Sequence, residues 1–274
     1  MITNFETNKI YVAKGLNSQR YADVAYTLLT LLSNLHINCE ELPCTQSQLH
    51  IWARDYMPVQ VSKEKFICFR YEPDYLNNCP KYKPQRNKIL ENLNIDVCYS
   101  SINIDGGNII SCGNKVILTD KILIENPQYT TMRLLDELSA LLEAEIILIP
   151  WDRYEEYGHA DGMVRYLGGN RILLNNYCNF DKCLRNRLLK TLSVHFDIEE
   201  LNYGAYTKNS WAYINFLHVG KDIFVPMLNE ALDSKAFKQI EAAYPMCKCH
   251  PINNSMSLVK DGGALNCSTW NILY

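Results

Sequence analysis

The sequence contains no run of Pro, Gly or Ser and no block of like charges that would mark a flexible linker. It also lacks an apolar stretch near the roughly 20 residues that a membrane-spanning helix requires. Its first residues do not have the charged and then apolar layout of a signal peptide. These absences predict one compact domain over residues 1–274, located in the cytoplasm, with no membrane partner.

Neither sign of charge is in large excess. The chain has 27 Lys and Arg residues and 30 Asp and Glu residues, which gives a formal net charge of -3. Basic residues are spread along the chain rather than clustered, so the surface that binds polyanions is not predicted. We therefore expect no nucleic-acid partner.

Cysteine, by contrast, is plentiful. The eleven cysteines are odd in number and irregular in spacing, which predicts reduced thiols rather than a disulfide framework. The stretch "CKCH" at 247–250 brings soft metal ligands together, but no matching second pair follows it. We interpret it as a strand with alternating thiols and expect no metal site.

One local pattern recurs along the whole chain: a helix, a short strand, a polar motif and a hairpin. Apolar residues at three-to-four spacing predict five helices, which begin near Tyr21, Gln85, Thr131, Cys183 and Ser234. The polar motifs read, in order, "WARDYMP", "IDGGN", "GHADGM", "AYINF" and "DGGALNC". One residue chosen from each is separated from the next by 50, 54, 56 and 52 positions, in the order Asp55, Asp105, His159, Asn215 and Cys267.

Units of this size cannot bury their apolar faces alone, so they must stack or close into a ring. An apolar strand follows a turn after each of the first four motifs, whereas too little sequence follows the fifth motif for such a strand. "NKIYVAK" at 8–14 is the candidate for the missing strand. We predict an α/β fold, a five-bladed pseudo-symmetric propeller that the N-terminal strand closes. Ile10 and Tyr11 should then share a sheet with the fifth unit, whose helix begins near Ser234. An open α/β sheet would show the same alternation of strands and helices.

The motif residues also suggest chemistry. Taken one at a time, each has an ordinary structural interpretation as a turn, a surface ion pair or a buried thiol. Carboxylates that face a common axis, however, are costly to desolvate without a cation. A thiol beside an imidazole suits nucleophilic catalysis, and paired carboxylates match a planar guanidinium. The combination predicts a catalytic site for a guanidino compound.

Four motifs, in the same order, resemble those of the guanidino-group-modifying superfamily, which includes agmatine, arginine and peptidylarginine deiminases and the amidinotransferases. "WARDYMP" resembles its aromatic-x-Arg-Asp-x-x-Pro element, "IDGGN" its acidic-Gly-Gly element, "HADGM" its HxD element and "GGALNCSTW" its terminal element with the nucleophilic Cys. The first and third are most similar to agmatine deiminases and bacterial, Porphyromonas-type peptidylarginine deiminases. The fold of the superfamily, the α/β propeller called a pentein, agrees with the repeat.

The resemblance implies roles for five catalytic residues. Cys267 would attack the guanidinium carbon, while His159 would protonate the departing ammonia and then activate water. Asp55 and Asp161 would bind the guanidinium nitrogens. Asp105 stands where arginine deiminases usually have a longer Glu that supports the His, which leaves open whether it acts directly or through water.

The resemblance further implies a hydrolase that converts a guanidino compound, agmatine or a similar small arginine derivative, to the ureido product and ammonia. A covalent thiouronium on the Cys would be the intermediate, and no metal or organic cofactor would be needed. The expected substrate-binding residues are Asp55, Asp161, Trp52, Arg54, Asn215 and Arg165, and Trp270 is a further residue that could contact the tail of the substrate. The alternatives are a peptidylarginine or arginine deiminase, an amidinotransferase and a non-catalytic propeller that binds a partner.

Overall fold

The computed structural model describes residues 1–45, 51–76, 83–155 and 157–274. Within these ranges the strands form five three-stranded sheets. Sheet 1 contains β15 (Thr269–Ile272), β1 (Lys9–Ala13) and β2 (Asn38–Leu42), and sheet 2 contains β3 (Val59–Gln60), β4 (Phe66–Arg70) and β5 (Cys98–Asn103). Sheet 3 contains β6 (Ile110–Ser111), β7 (Lys115–Thr119) and β8 (Glu145–Ile149). Sheet 4 contains β9 (Val164–Gly168), β10 (Arg171–Leu174) and β11 (Asp197–Glu200), and sheet 5 contains β12 (Leu217–Val219), β13 (Asp222–Pro226) and β14 (Lys248–Ile252).

All five sheets share one topology. The middle strand pairs antiparallel with the first strand and parallel with the third. A helix lies between the two parallel strands, because parallel neighbours need a crossover connection. The crossover helices are α1 (Ala22–Asn34), α3 (Arg86–Leu93), α5 (Thr131–Leu142), α6 (Lys182–Leu192) and α7 (Asp233–Ala243), and the shorter helices are α2 (Ala53–Tyr56), α4 (Lys121–Glu125) and α8 (Met256–Val259).

The five predicted helices are confirmed, and each begins within one residue of its predicted start. Helix α5 illustrates why the sequence specifies them. Thr130 caps its first turn by accepting a hydrogen bond from the backbone N–H of Arg133. Leu134, Leu138 and Leu142 follow at four-residue spacing and are buried, so they form a single apolar face. In the described part of the chain, no helix has the length and apolar character needed to cross a membrane.

The repeating unit begins at a different point from the one predicted. In the prediction each unit begins with a helix. In the structure each unit begins with the strand that follows a polar motif, and its helix connects the second and third strands of the sheet. The helix near Ser234 therefore connects β13 and β14 of sheet 5 and does not belong to the unit of the last strand. The predicted partner of that last strand is confirmed, because Ile10 pairs with Asn271 and Tyr11 with Trp270.

Among the described residues, apolar side chains form five buried clusters, and each cluster is shared between two sheets. One joins Tyr11 and Trp270 of sheet 1 to Phe66 of sheet 2. Another joins Ile10 of sheet 1 to Phe224 of sheet 5. The other three join sheet 2 to sheet 3, sheet 3 to sheet 4 and sheet 4 to sheet 5. Every sheet is thus held to two others by apolar burial, the main favourable term in folding.

Candidate active site

The polar motifs lie immediately before the first strand of each sheet, in short helices and turns. Asp55 lies in α2, and Asp105 precedes a short 3-10 helix at Gly106–Asn108. His159 precedes a similar turn at Ala160–Gly162, and Cys267 precedes β15. The side chains of Asp55 and His159 pack closely against the backbone at Gly107. A Cβ there would lie 2.7 Å from both Asp55 Oδ1 and His159 Nδ1, so the position requires glycine.

Cys267 is buried, with 6% of its surface exposed. Its Sγ lies 3.3 Å from Oδ1 of Asn215 and 3.5 Å from Oδ2 of Asp161. The same Asn215 oxygen accepts a hydrogen bond from the Cys267 backbone N–H at 3.3 Å. Burial, followed by the negative charges of Asp161 and Asp55, raises the pKa of the Cys267 thiol well above its usual range. The thiol is therefore protonated at neutral pH when the site is empty.

His159 lies between two carboxylates. Its Nε2 is 3.0 Å from Oδ2 of Asp105, and its Nδ1 is 3.7 Å from Oδ1 of Asp55. The shorter Asp side chain at position 105 therefore contacts the imidazole directly. Burial lowers the pKa of His159, but the charges of Asp55, Asp105 and Glu155 outweigh this effect and raise the pKa to about 10. His159 is consequently an imidazolium at neutral pH.

Negative groups outnumber positive ones in this site. Asp55, Asp105 and Asp161 are all buried, and burial raises the pKa of Asp55 to about 7. Among the described residues, no Lys, Arg or His nitrogen lies within 4.0 Å of the Asp161 carboxylate. That carboxylate instead accepts a hydrogen bond of 2.7 Å from Asn266 Nδ2. A buried carboxylate without a cation beside it, next to a thiol, is suited to a cationic ligand.

A cavity of about 190 Å³ opens onto the Cys267 thiol. Asp55, His159 and Cys267 supply its polar groups, and Trp52, Tyr56, Tyr71, Tyr75, Leu76 and Tyr157 supply most of its wall. Of the described residues that line it, none is Lys or Arg. The cavity thus combines a largely aromatic wall with a polar end, and the Asp161 carboxylate lies 3.5 Å from the thiol at that end. An aromatic wall near carboxylates is the arrangement expected for a small organic cation.

The structure brings together most of the predicted site residues. Asp55, His159 and Cys267 line one cavity together with Trp52, and Asp105 and Asp161 contact the imidazole and the thiol. Asn215 lies behind Cys267 as a hydrogen-bond acceptor.

Three of the residues considered for substrate binding lie elsewhere. Arg54 and Arg165 line a separate cavity, and Arg165 is bonded to the Phe216 carbonyl at 2.6 Å. Trp270 packs between sheets 1 and 2 and donates a hydrogen bond of 2.8 Å to the Pro58 carbonyl. The sequence pattern did not indicate these orientations, since consecutive residues in a motif can face opposite ways.

Sequence reasoning missed Tyr75 and Asn266. The Tyr75 hydroxyl donates a hydrogen bond of 2.8 Å to Asp105 Oδ2, so it contacts the carboxylate that holds His159. Its neighbour Asp74 is 3.0 Å from the buried Nζ of Lys121, which fixes this segment to the body of the protein. Tyr75 lies in no periodic pattern and no motif, so nothing local marked it. Asn266 had a usable signal, its position directly before the nucleophile.

The fold is that of solved guanidino-modifying hydrolases. The structure is similar to an agmatine deiminase from C. jejuni, with a TM-score of 0.77 and 16% identity over 100% of this chain and 95% of that chain. It is similar to an agmatine deiminase from Enterococcus faecalis, with a TM-score of 0.74 and 16% identity over 99% of this chain and 94% of that one. A DDAH from Pseudomonas aeruginosa matches with a TM-score of 0.64 and 14% identity, over 98% of this chain and 100% of that one. No curated protein matches the sequence.

The sequence assigns the chain to a particular family, which the similarity of fold alone does not. The model of the Porphyromonas-type peptidyl-arginine deiminase family matches residues 1–272, and the chain belongs to this family. The resemblance inferred from the four ordered motifs is thereby confirmed. The protein is an enzyme, a hydrolase of the deiminase type that acts on guanidino groups.

Proposed function

We propose that this protein hydrolyses agmatine, or a similar small arginine derivative, to the ureido product and ammonia. One observation carries the proposal: the buried Asp161 carboxylate lies 3.5 Å from the Cys267 thiol, and no Lys, Arg or His nitrogen of the described residues lies within 4.0 Å of it. A guanidinium at this position would neutralise the carboxylate and present its central carbon to the sulfur. Forked hydrogen bonds to Asp55 and Asp161 would hold it in place.

The substrate charge also activates the nucleophile. Burial and two carboxylates keep the Cys267 thiol protonated in the empty site. A guanidinium bound between Asp55 and Asp161 brings a positive charge next to the sulfur, which favours the thiolate. The nucleophile therefore forms only when its substrate is present.

The reaction proceeds in two balanced steps. The Cys267 thiolate forms a bond to the guanidinium carbon, and one C–N bond breaks with its electron pair passing to nitrogen. The His159 imidazolium gives that nitrogen a proton, and ammonia leaves. Water then loses one proton to His159 as its oxygen attacks the thiouronium carbon, and the C–S bond breaks with its electron pair passing to sulfur, which restores the thiolate. The second proton of that water passes to solvent, which leaves the neutral ureido product. Asp105 and Asp55 stabilise the imidazolium that the first step uses and the second step forms again.

The wall of the cavity favours a substrate without a carboxylate. Arginine carries an α-carboxylate that needs a basic or multiply hydrogen-bonding partner. The described residues around the cavity offer Trp52, Tyr71, Tyr75 and Leu76 in its place. An aliphatic chain that ends in an amine makes apolar and cation–π contacts with such a wall. Agmatine has this chemistry.

We also propose that residues 1–274 form one domain in which the five sheets close into a ring. Two features support closure. The N-terminal strand β1 pairs with β15, the last strand of the chain. The five apolar clusters connect the sheets in cyclic order, and the cluster with Ile10 and Phe224 joins sheet 1 to sheet 5. A ring of this kind directs all five motifs towards one axis.

Ammonia release from agmatine, free arginine and a blocked arginine peptide tests the reaction and the substrate together. We expect the highest kcat/KM with agmatine, and a loss of at least about 10⁴-fold in Cys267→Ala. Cys112→Ala is the matched control, because Cys112 is a buried thiol outside the site. No ammonia from any guanidine would refute the reaction, whereas a preference for arginine would refute only the substrate.

Two further readouts separate the alternatives. Product formation that depends on an added amine rather than on water would identify an amidinotransferase. A haloacetamidine, which joins a cation to an electrophile, should label Cys267 ahead of the other thiols. A non-catalytic binding module gives no reason for that selectivity.

A further inference from the structure

A second cavity, of about 80 Å³, lies beside the site and shares none of its described lining residues. Arg54, Gly106 and Asn266 line it, and they are the sequence neighbours of Asp55, Gly107 and Cys267. Successive residues of three motifs therefore face different cavities. By comparison, a single water needs roughly 10–15 Å³, so this cavity has room for a group of several heavy atoms.

The charge of this cavity is positive. Arg54 and Arg165 both line it, and of its described lining residues none is Asp or Glu. Arg165 is only 3% exposed. Among the described residues, its guanidinium donates a single hydrogen bond, to the Phe216 carbonyl. Arg54 contacts Asn271 Oδ1 and, at 3.4 Å, the Asn266 carbonyl. A guanidinium has five N–H donors, so the described residues leave most donors of both side chains without an acceptor.

Two further observations point to a ligand. Ser111 lines the same cavity, and its hydroxyl oxygen is buried without a hydrogen-bond partner in the described structure. Burial, and then the positive charge of Arg165, lower the pKa of Arg54 to about 10. The two buried guanidiniums thus repel each other, while Asp161 attracts both. An anion in the second cavity would add to this attraction and reduce the repulsion.

We propose that this second cavity is a binding site for a small oxyanion, held by Arg54, Arg165 and the Ser111 hydroxyl. Arginine pairs match the geometry of carboxylate and phosphate oxygens through forked hydrogen bonds. Phosphate, sulfate and short carboxylates share this chemistry and suit the volume. The site involves neither the thiol nor the imidazole.

Thermal unfolding of the full chain tests the site. Phosphate, acetate and chloride are titrated separately at one pH and one ionic strength. At ten times its dissociation constant, a bound anion should raise Tm by roughly 2–5 °C, and the rise should continue with the logarithm of its concentration. A rise with phosphate or with acetate that exceeds the rise with chloride supports the site and identifies the kind of oxyanion. Equal shifts with all three salts, or no shift, overturn the proposal.

Variants keep the test specific. Arg165→Met should abolish the anion-specific shift, but loss of a buried guanidinium can also prevent folding. Ser111→Ala avoids this problem, since the hydroxyl has no hydrogen-bond partner to lose among the described residues. It should weaken anion affinity by roughly 2–10-fold. Ser18→Ala is the matched control, because Ser18 Oγ is also buried without a described partner but lies outside the cavity. Identical anion titrations for the Ser111 and Ser18 variants would also overturn the proposal.

Discussion

Replacing Asp105 by Asn removes the negative charge that lies 3.0 Å from His159 Nε2 and keeps the size of the side chain. A hydrogen bond to a charged group contributes about 1.5–3 kcal/mol, and one pKa unit corresponds to about 1.4 kcal/mol. The pKa of His159, about 10 in the intact site, should therefore fall by roughly 1–2 units. Asp55 remains near Nδ1, so the pKa should stay above the usual range of histidine.

The pKa is measurable by NMR titration of histidine ring carbons in the free protein, with the His159 signal assigned from its loss in His159→Asn. A lower pKa means that the imidazolium is lost at lower pH, so kcat for Asp105→Asn should decline earlier on the alkaline side. Asp222→Asn is the control, since it removes a carboxylate 2.7 Å from His250, outside the site. An unchanged or higher His159 pKa in Asp105→Asn would refute this account of the charge.

Three further predictions concern the surroundings of the site. Gly107→Ala should lower kcat at least about 100-fold with little change in Tm. Gly162→Ala is the control and should stay active, because its Cβ would be no closer than 3.9 Å to any neighbour. Equal activity of the two variants would contradict the close packing at Gly107. Ile10→Ala should lower the free energy of chemical unfolding by about 2–5 kcal/mol, because Ile10 is fully buried in the cluster that joins sheets 1 and 5. Ile124→Ala should lower it little, since Ile124 is 58% exposed. A small loss at both positions would count against ring closure. Lys121→Met should lower Tm and raise KM for agmatine, because a buried ammonium that holds the segment with Tyr75 is lost, and an unchanged KM would show that this segment does not shape the cavity.

Much of the fold was predictable because its signals are local and repeated. Apolar spacing marked the five crossover helices, and the even spacing of the polar motifs marked the five sheets. The pairing of β1 with β15 followed from counting, since four motifs had a following strand and the fifth did not. The start of each unit was predicted incorrectly because periodicity fixes the length of a repeat but not which neighbouring strands pair. Pairing depends on the crossover between parallel strands, which only the assembled sheet decides.

The order of amino acids specifies which groups are available: a thiol, an imidazole and several carboxylates at equivalent places in a repeat. What each group faces depends on how the chain folds. Arg54 and Asp55 are adjacent in one motif, yet the first lines the cationic cavity and the second the anionic one. Tyr75 reaches Asp105 across 30 residues of sequence, a contact that no local pattern specifies. The direction of a side chain depends on the turn that carries it and on the residues packed around it, and these come from distant parts of the chain.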